Sequence, residues 1–150
     1  MDKPKFVYVT YIRTTPEKLW HALTDPEFNR RFWNGAFQES EWKVGSSWRL
    51  FLPDGRVADK GEILEVEPLR KLVIKWRNEF KPELHAAGFT RMTCELEQQG
   101  ESVKLTLIHE SETPESKMIE AVSKGWPMVL SALKSLLETG ESLAHWPKKA

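Results

Sequence analysis

The side chains best suited to chemistry in this chain are four histidines, His21, His85, His109 and His145, one cysteine, Cys94, and scattered carboxylates and arginines. The histidines show no His-x3-His spacing and there is no Cys-x2-Cys pair. A metal site would have to be assembled wholly by the fold, and none is expected. Cys94 is in phase with Met92 and Leu96 in an alternating stretch, the setting of a small buried hydrophobe rather than a nucleophile. No Gly-x-Ser-x-Gly elbow occurs, and no glycine-rich loop precedes a helix, so the usual signatures of esterase and phosphate sites are absent. His109 continues the inward phase of Val103, Leu105 and Leu107. It could bind a ligand's polar group, move a proton, or simply be satisfied by backbone at a strand end; the last reading is preferred. Asp59 and Glu62 could reach the same interior or sit on a solvated edge, and Arg13, Arg49, Arg56 and Arg91 would clamp a carboxylate if they converged. No catalytic residue and no cofactor is therefore assigned, and a binding protein is the expected class ahead of an enzyme.

The totals agree. The chain has 150 residues, the size of one domain, with 22 basic against 22 acidic side chains. A neutral balance gives no electrostatic case for nucleic acid. A single cysteine fits a reducing, cytoplasmic setting. The start, MDKPKFVYVTYIR, lacks the apolar core of a signal peptide, and no apolar run approaches the ~20 residues of a membrane span. Seven tryptophans, at positions 20, 33, 42, 48, 76, 126 and 146, point to an aromatic core or an aromatic-lined cavity. Trp42 and Trp146 fall in loop or tail and are expected to be exposed.

Three stretches must position these groups as helices. Thr15-Pro16-Glu17, Asp25-Pro26-Glu27 and Thr113-Pro114-Glu115 each join a capping side chain, a proline suited to the first turn and a carboxylate suited to the positive helix end. The first two open short helices, 16–23 and 26–33. The third opens a long helix with apolar residues at 118, 119, 122, 126, 129, 130, 133, 136 and 137, stopped by Gly140. Strands are expected at 6–12, 48–52, 57–67, 72–76, 91–97 and 103–109, from β-branched content and period-two alternation with one polar face. Only the long helix has the apolar area to cover such a sheet; nine buried side chains at ~1.5–3 kcal/mol each would dominate the stability. The fold class is α+β: a curved antiparallel sheet gripping a long C-terminal helix, with two short helices after the first strand.

That order resembles the START-like SRPBCC superfamily, the helix-grip fold, and more narrowly its branch named after the activator of heat-shock protein 90 ATPase. The matching segments are TTPEKLWHALTDPE (14–27), GEILEVEPLRKLVIKW (61–76), LTLIHES (105–111) and GWPMVLSALKSLLETG (125–140). Val44-Gly45-Ser46-Ser47 departs locally from the Gly-Gly of many relatives. The resemblance implies one domain over 1–150 with a hydrophobic cavity between sheet and helix. Trp33, Phe37, Trp48 and Trp76 lie on segments that line it in relatives; Met92, His109, Met118, Val122, Trp126 and Val129 complete the expected lining. The implied partner is a small apolar or aromatic molecule, and relatives of this fold often form homodimers. The alternatives are a polyketide-cyclase or hydrolase-like enzyme using His109 as acid–base, and a chaperone-associated protein-interaction module. Within the last helix, Gly125 is expected to allow a close approach or bend, and Pro127 to kink or divide the helix where Trp126 meets the cavity.

Overall fold

The computed structural model describes residues 3–114 and 116–143. The chain runs β1 (Lys5–Ile12), α1 (Pro16–Thr24), α2 (Pro26–Phe32), β2 (Phe37–Ser40), β3 (Ser47–Phe51), β4 (Val57–Glu67), β5 (Lys71–Asn78), α3 (Pro82–His85), β6 (Thr90–Gln99), β7 (Ser102–Ser111) and α4 (Lys117–Thr139). All neighbouring strands pair antiparallel, in the order β1-β7-β6-β5-β4-β3-β2. The expected class holds. β4 carries register shifts against both neighbours, at Leu50/Phe51 and Ile63/Glu65, and such irregularities bend a sheet around what it packs on.

The helix starts follow their caps. Thr15 Oγ1 accepts from the Lys18 N–H at 3.2 Å and Asp25 Oδ2 from the Phe28 N–H at 2.9 Å. The third start is corrected. Thr113 does not cap α4; Ser116 does, its Oγ accepting from the Ile119 N–H at 3.3 Å. The Thr113 N–H is taken by Ser111 Oγ at 3.1 Å, so the preceding residues close a turn off β7 instead. Glu115 lies outside the described residues, as do His145, Trp146 and the terminal Lys148-Lys149-Ala150. Gly140 ends α4 with φ 87° and returns its N–H to the Leu136 carbonyl, a left-handed cap that glycine adopts without strain. Two elements escaped the sequence, β2 and α3, of four residues each.

The apolar stripe of α4 packs on the inner sheet face. Met118, Trp126, Val129, Leu130, Leu133 and Leu136 join Trp48, Ile63, Ile74, Trp76, Met92 and Leu105 in one core. Pro127 does not divide the helix, which is continuous from Lys117 to Thr139; one missing N–H is outweighed by the packing on either side. Gly125 makes no close approach: it is exposed, and a Cβ there would meet nothing within 4 Å. The glycine that the fold needs is Gly61, in the middle of β4, where a Cβ would stand 1.5 Å from the Lys75 carbonyl oxygen of β5.

These two glycines give opposite expectations. Gly61→Ala should cost at least ~3 kcal/mol, because backbone has to move. Gly125→Ala should gain ~0.5–1 kcal/mol as an ordinary helix substitution. Urea melts of both variants check this; equal effects would contradict it.

Candidate functional site

Gly61 sits in register between two tryptophans, Trp48 on β3 and Trp76 on β5. With no side chain between them, the two rings meet across β4, centroids 4.2 Å apart. The row continues through Thr90 on β6 to Ser111 on β7. The parallel row beside it is Ile63, Ile74, Met92, His109 and Phe6. Trp126 descends from α4 onto these rows, its ring 5.5 Å from Trp76 and 5.5 Å from Trp33, which follows α2.

A buried indole N–H is a donor that needs an acceptor, and each of the three core tryptophans has one. Trp126 Nε1 donates to His109 Nδ1 at 3.1 Å. Trp76 Nε1 donates to Asp59 Oδ2 at 2.7 Å. Trp48 Nε1 donates to Gln38 Oε1 at 2.9 Å.

The His109 contact fixes its tautomer. Nδ1 accepts, so Nε2 carries the proton and donates to Thr90 Oγ1 at 2.7 Å. The Thr90 hydroxyl in turn donates to the Trp76 carbonyl at 3.0 Å. The imidazole is fully buried, and burial pushes its pKa down to about 3. A second proton would also set an N–H at Nδ1 against the Trp126 N–H. His109 thus faces inward, as its phase indicates, but it is held by side chains and not by backbone. Both nitrogens are thus bonded to side chains within the core.

Asp59 is 5% exposed and also accepts from Asn78 Nδ2 at 3.3 Å. Burial raises its carboxyl to about 6 against the opposing hydrogen bonds from Trp76 and Asn78, with a further push from the Glu79 charge. Asn78 Oδ1 accepts the Phe80 and Lys81 N–H groups at 3.0 and 2.7 Å, so Asp59 also orients the turn into α3. Gln38 completes a third network. Its Nε2 donates to the Leu23 carbonyl at 2.9 Å, its N–H to Asn29 Oδ1 at 2.9 Å, and Asn29 Nδ2 to the Ala22 carbonyl at 2.8 Å. That network pins the two short helices to β2.

Nine of the ten residues expected to line a cavity lie in this core or pack on it: Trp33, Trp48, Trp76, Met92, His109, Met118, Val122, Trp126 and Val129. Phe37 does not. Gln38 takes the inward place on β2, so Phe37 turns to the outer face, stacked on Phe51 at 5.0 Å with the Arg30 guanidinium 3.9 Å above it. The space itself is filled. What remains between sheet and helix is a gap of about 20 Å³, room for one water and far short of the ~300 Å³ of a small ligand pocket. Of the expected lining, only Trp33, Met92, Trp126 and Val129 border it; Leu23, Phe32, Gln38, Leu72, Cys94, Leu107 and Leu130 make the rest. Period-two alternation placed Leu72 and Leu107 inward, yet nothing in the sequence singled them out. Burial drives the Cys94 thiol up to about 12, as suits an inert thiol.

The polar candidates disperse. Arg91 reaches Glu65 at 3.1 Å, Arg56 reaches Asp54 at 2.8 Å, Arg49 lies 5.6 Å over Phe51, and the Arg13 N–H donates to Glu138. Glu62 is exposed, while Trp42 is half-buried against the core and not an exposed loop residue. Among the described residues no cluster of three or more His, Cys, Asp or Glu side chains could hold a metal, and no helix is long and apolar enough to cross a membrane.

A sequence profile of the family described as "Activator of Hsp90 ATPase homolog 1-like protein" matches residues 13–138. No curated protein matches the chain. Protein MLL2253 from Mesorhizobium loti is 24% identical, with a TM-score of 0.76 over 89% of this chain and 96% of that one. PFC0360w, an Hsp90 activator from Plasmodium falciparum, is 26% identical, with a TM-score of 0.64 over 81% and 86%. The Aha1 dimer from Colwellia psychrerythraea is 18% identical, with a TM-score of 0.72 over 93% and 99%.

Two of the buried titratable groups, His109 and Asp59, oppose each other in pH dependence. His109 has a lowered pKa, so the unfolded chain binds the extra proton: stability present above pH 6.5 is lost as pH falls toward 3. Asp59 has a raised pKa, so the folded chain binds the extra proton: stability present below pH 3.8 is lost as pH rises through about 6. Between pH 4 and 6 the two nearly cancel. Asp59→Asn should therefore lose stability faster than wild type on acidification in this window, by ~1.4 kcal/mol per pH unit, and His109→Gln more slowly by a similar amount. Urea melts across this window test it; parallel curves for both variants and wild type would contradict it.

Proposed function

Because the chain belongs to the family of activator of Hsp90 ATPase homolog 1-like proteins, we propose that it is a protein-interaction module that acts from its surface on a chaperone of the Hsp90 kind. The observation that carries this reading is the filled interior: among the described residues, the stacked tryptophans leave a gap of only about 20 Å³ between sheet and helix, which favours the surface as the working part. The likeness to an Hsp90 activator of similar span supports the choice of partner. A lone, buried cysteine suits a reducing compartment, and we assign the protein to the cytoplasm. In an ATPase assay with the Hsp90 of the same cell, the protein should raise turnover several-fold and saturate near stoichiometric binding. Unchanged turnover with no detectable complex would defeat this reading.

One observation favours a second reading, the binding of a small apolar or aromatic molecule. The residual gap is apolar, and Trp33 and Trp126 are among the residues that line it. Trp33 is only half-buried; if it swung outward with Trp126, the gap would enlarge to ligand size. Native mass spectrometry of the purified protein is the check. This reading expects a co-purifying small molecule released on denaturation, and a bare mass would count against it.

A further inference from the structure

The stretch Trp33-Asn34-Gly35-Ala36 joins α2 to β2. Asn34 and Gly35 both have positive φ, 51° and 89°. Asparagine is one of the few residues with a side chain that settles in this region. Gly35 is more tightly specified, because a Cβ there would also stand 3.0 Å from the Pro53 ring. The hydrogen bonds are those of a Schellman cap. The Gly35 N–H donates to the Arg30 carbonyl at 3.0 Å, the Trp33 N–H to the Asn29 carbonyl at 2.8 Å, and the Ala36 N–H to the Trp33 carbonyl at 2.9 Å. The cap therefore favours asparagine followed by glycine, and Asn34 is exposed. The chain's other two asparagines differ in both respects. Asn29 precedes Arg30 and Asn78 precedes Glu79, and the side-chain amide of each donates within the fold, to the Ala22 carbonyl and to Asp59.

We propose that Asn34 is a site of spontaneous deamidation that the α2 cap holds shut, and that the reaction, once the cap frays, frees Trp33 from the core. The nucleophile is the backbone nitrogen of Gly35. It gives its proton to solvent base and attacks Asn34 Cγ; a C–N bond forms, and ammonia leaves with a proton from solvent. The product is a cyclic imide. Water then opens it at one of its two carbonyls, breaking one C–N bond. Opening at the Cγ carbonyl leaves an aspartate, and opening at the main-chain carbonyl leaves an isoaspartate. A glycine nitrogen attacks with the least crowding, because no side chain flanks it. In the cap, however, that N–H points at the Arg30 carbonyl. The reaction must wait for this bond to open, and helix ends open far more often than the whole domain unfolds. The isoaspartate carries one extra methylene in the main chain between Trp33 and Gly35. Gly35 then no longer meets Arg30 while Ala36 meets Trp33, so the cap does not close again. Trp33 is half-buried, with its ring 5.5 Å from Trp126 and 6.0 Å from Phe32, and the cap fixes the backbone from which that ring reaches the core. The proposal rests on neither reading of function.

Peptide mapping by mass spectrometry tests it, on the full chain aged at mildly alkaline pH with and without urea. Position 34 should change from amide to acid in both samples, about ten-fold faster or more in urea, where the cap is absent. Asn29 and Asn78 should lag well behind. The product formed without urea carries one extra negative charge and separates by ion exchange. In its isoaspartyl form the Trp33 ring signals should shift in NMR and lose their proximity to Trp126, while Trp48 and Trp76 keep theirs. Asn34→Asp supplies the charge without the methylene and should leave Trp33 in place. Asn34→Gly, which accepts the same positive φ, should abolish the conversion and keep the fold. Equal rates with and without urea overturn the proposal, and so does a folded chain that never converts. An isoaspartyl product with Trp33 still against Trp126 overturns the release.

Discussion

The contact on which the rest depends is the hydrogen bond from the Trp126 indole to His109 Nδ1. It is a buried polar joint between α4 and the sheet, whereas the bonds of Lys134 to the Tyr11 carbonyl and of the Arg13 N–H to Glu138 lie at the exposed edge, and it works only while His109 is neutral. Its partner bonds are set in series: Nε2–H to Thr90, and the Thr90 hydroxyl to the Trp76 carbonyl. Each group in the chain uses its donor once and in one direction. Such a network, fully satisfied at low dielectric, holds one arrangement against its alternatives, because any slip leaves a buried group unpaired. The helix is thereby fixed in rotation and in height over the strands.

The same constraint explains the interior. Two large rings can meet across a strand only if the residue between them has no side chain, and Gly61 meets that condition while letting the β5 backbone draw close. Trp48 and Trp76 then form a floor, Trp126 a lid, and Gln38, Asp59 and His109 lock each ring through its nitrogen. The helix-grip architecture that leaves room between sheet and helix is here occupied by the protein's own aromatics.

Much of this was legible in the sequence, and the reasons for the remainder are physical. β-branched content, turn signals and period-two alternation together marked six of seven strands; alternation is clean in β7, which buries every second residue, and broken in β5, which buries Leu72, Val73 and Ile74 in succession. β2 was missed because Phe37–Ser40 is too short to show a period; the same brevity hid the outward turn of Phe37. α3 is one turn, below the length at which amphipathic spacing can be read. The Thr113 signal misled because a threonine before proline serves a turn as well as a cap, and Ser116 was free to take the helix. The tryptophans announced an aromatic core, and any buried indole calls for an acceptor. Which acceptors serve depends on cross-strand register through a bulged β4, and register across a bulge is set by packing between distant segments rather than by local pattern.

The most direct test of the filled, locked interior is hydrogen exchange at the indole nitrogens, followed by NMR in deuterated buffer. The Nε1–H groups of Trp48, Trp76 and Trp126 should exchange only through global unfolding, at rates that match the slowest backbone amides of β5 and β6. Exchange of the Trp126 indole within minutes, with Trp48 and Trp76 still protected, would show that the helix lifts from the sheet and that the interior is an opening chamber after all.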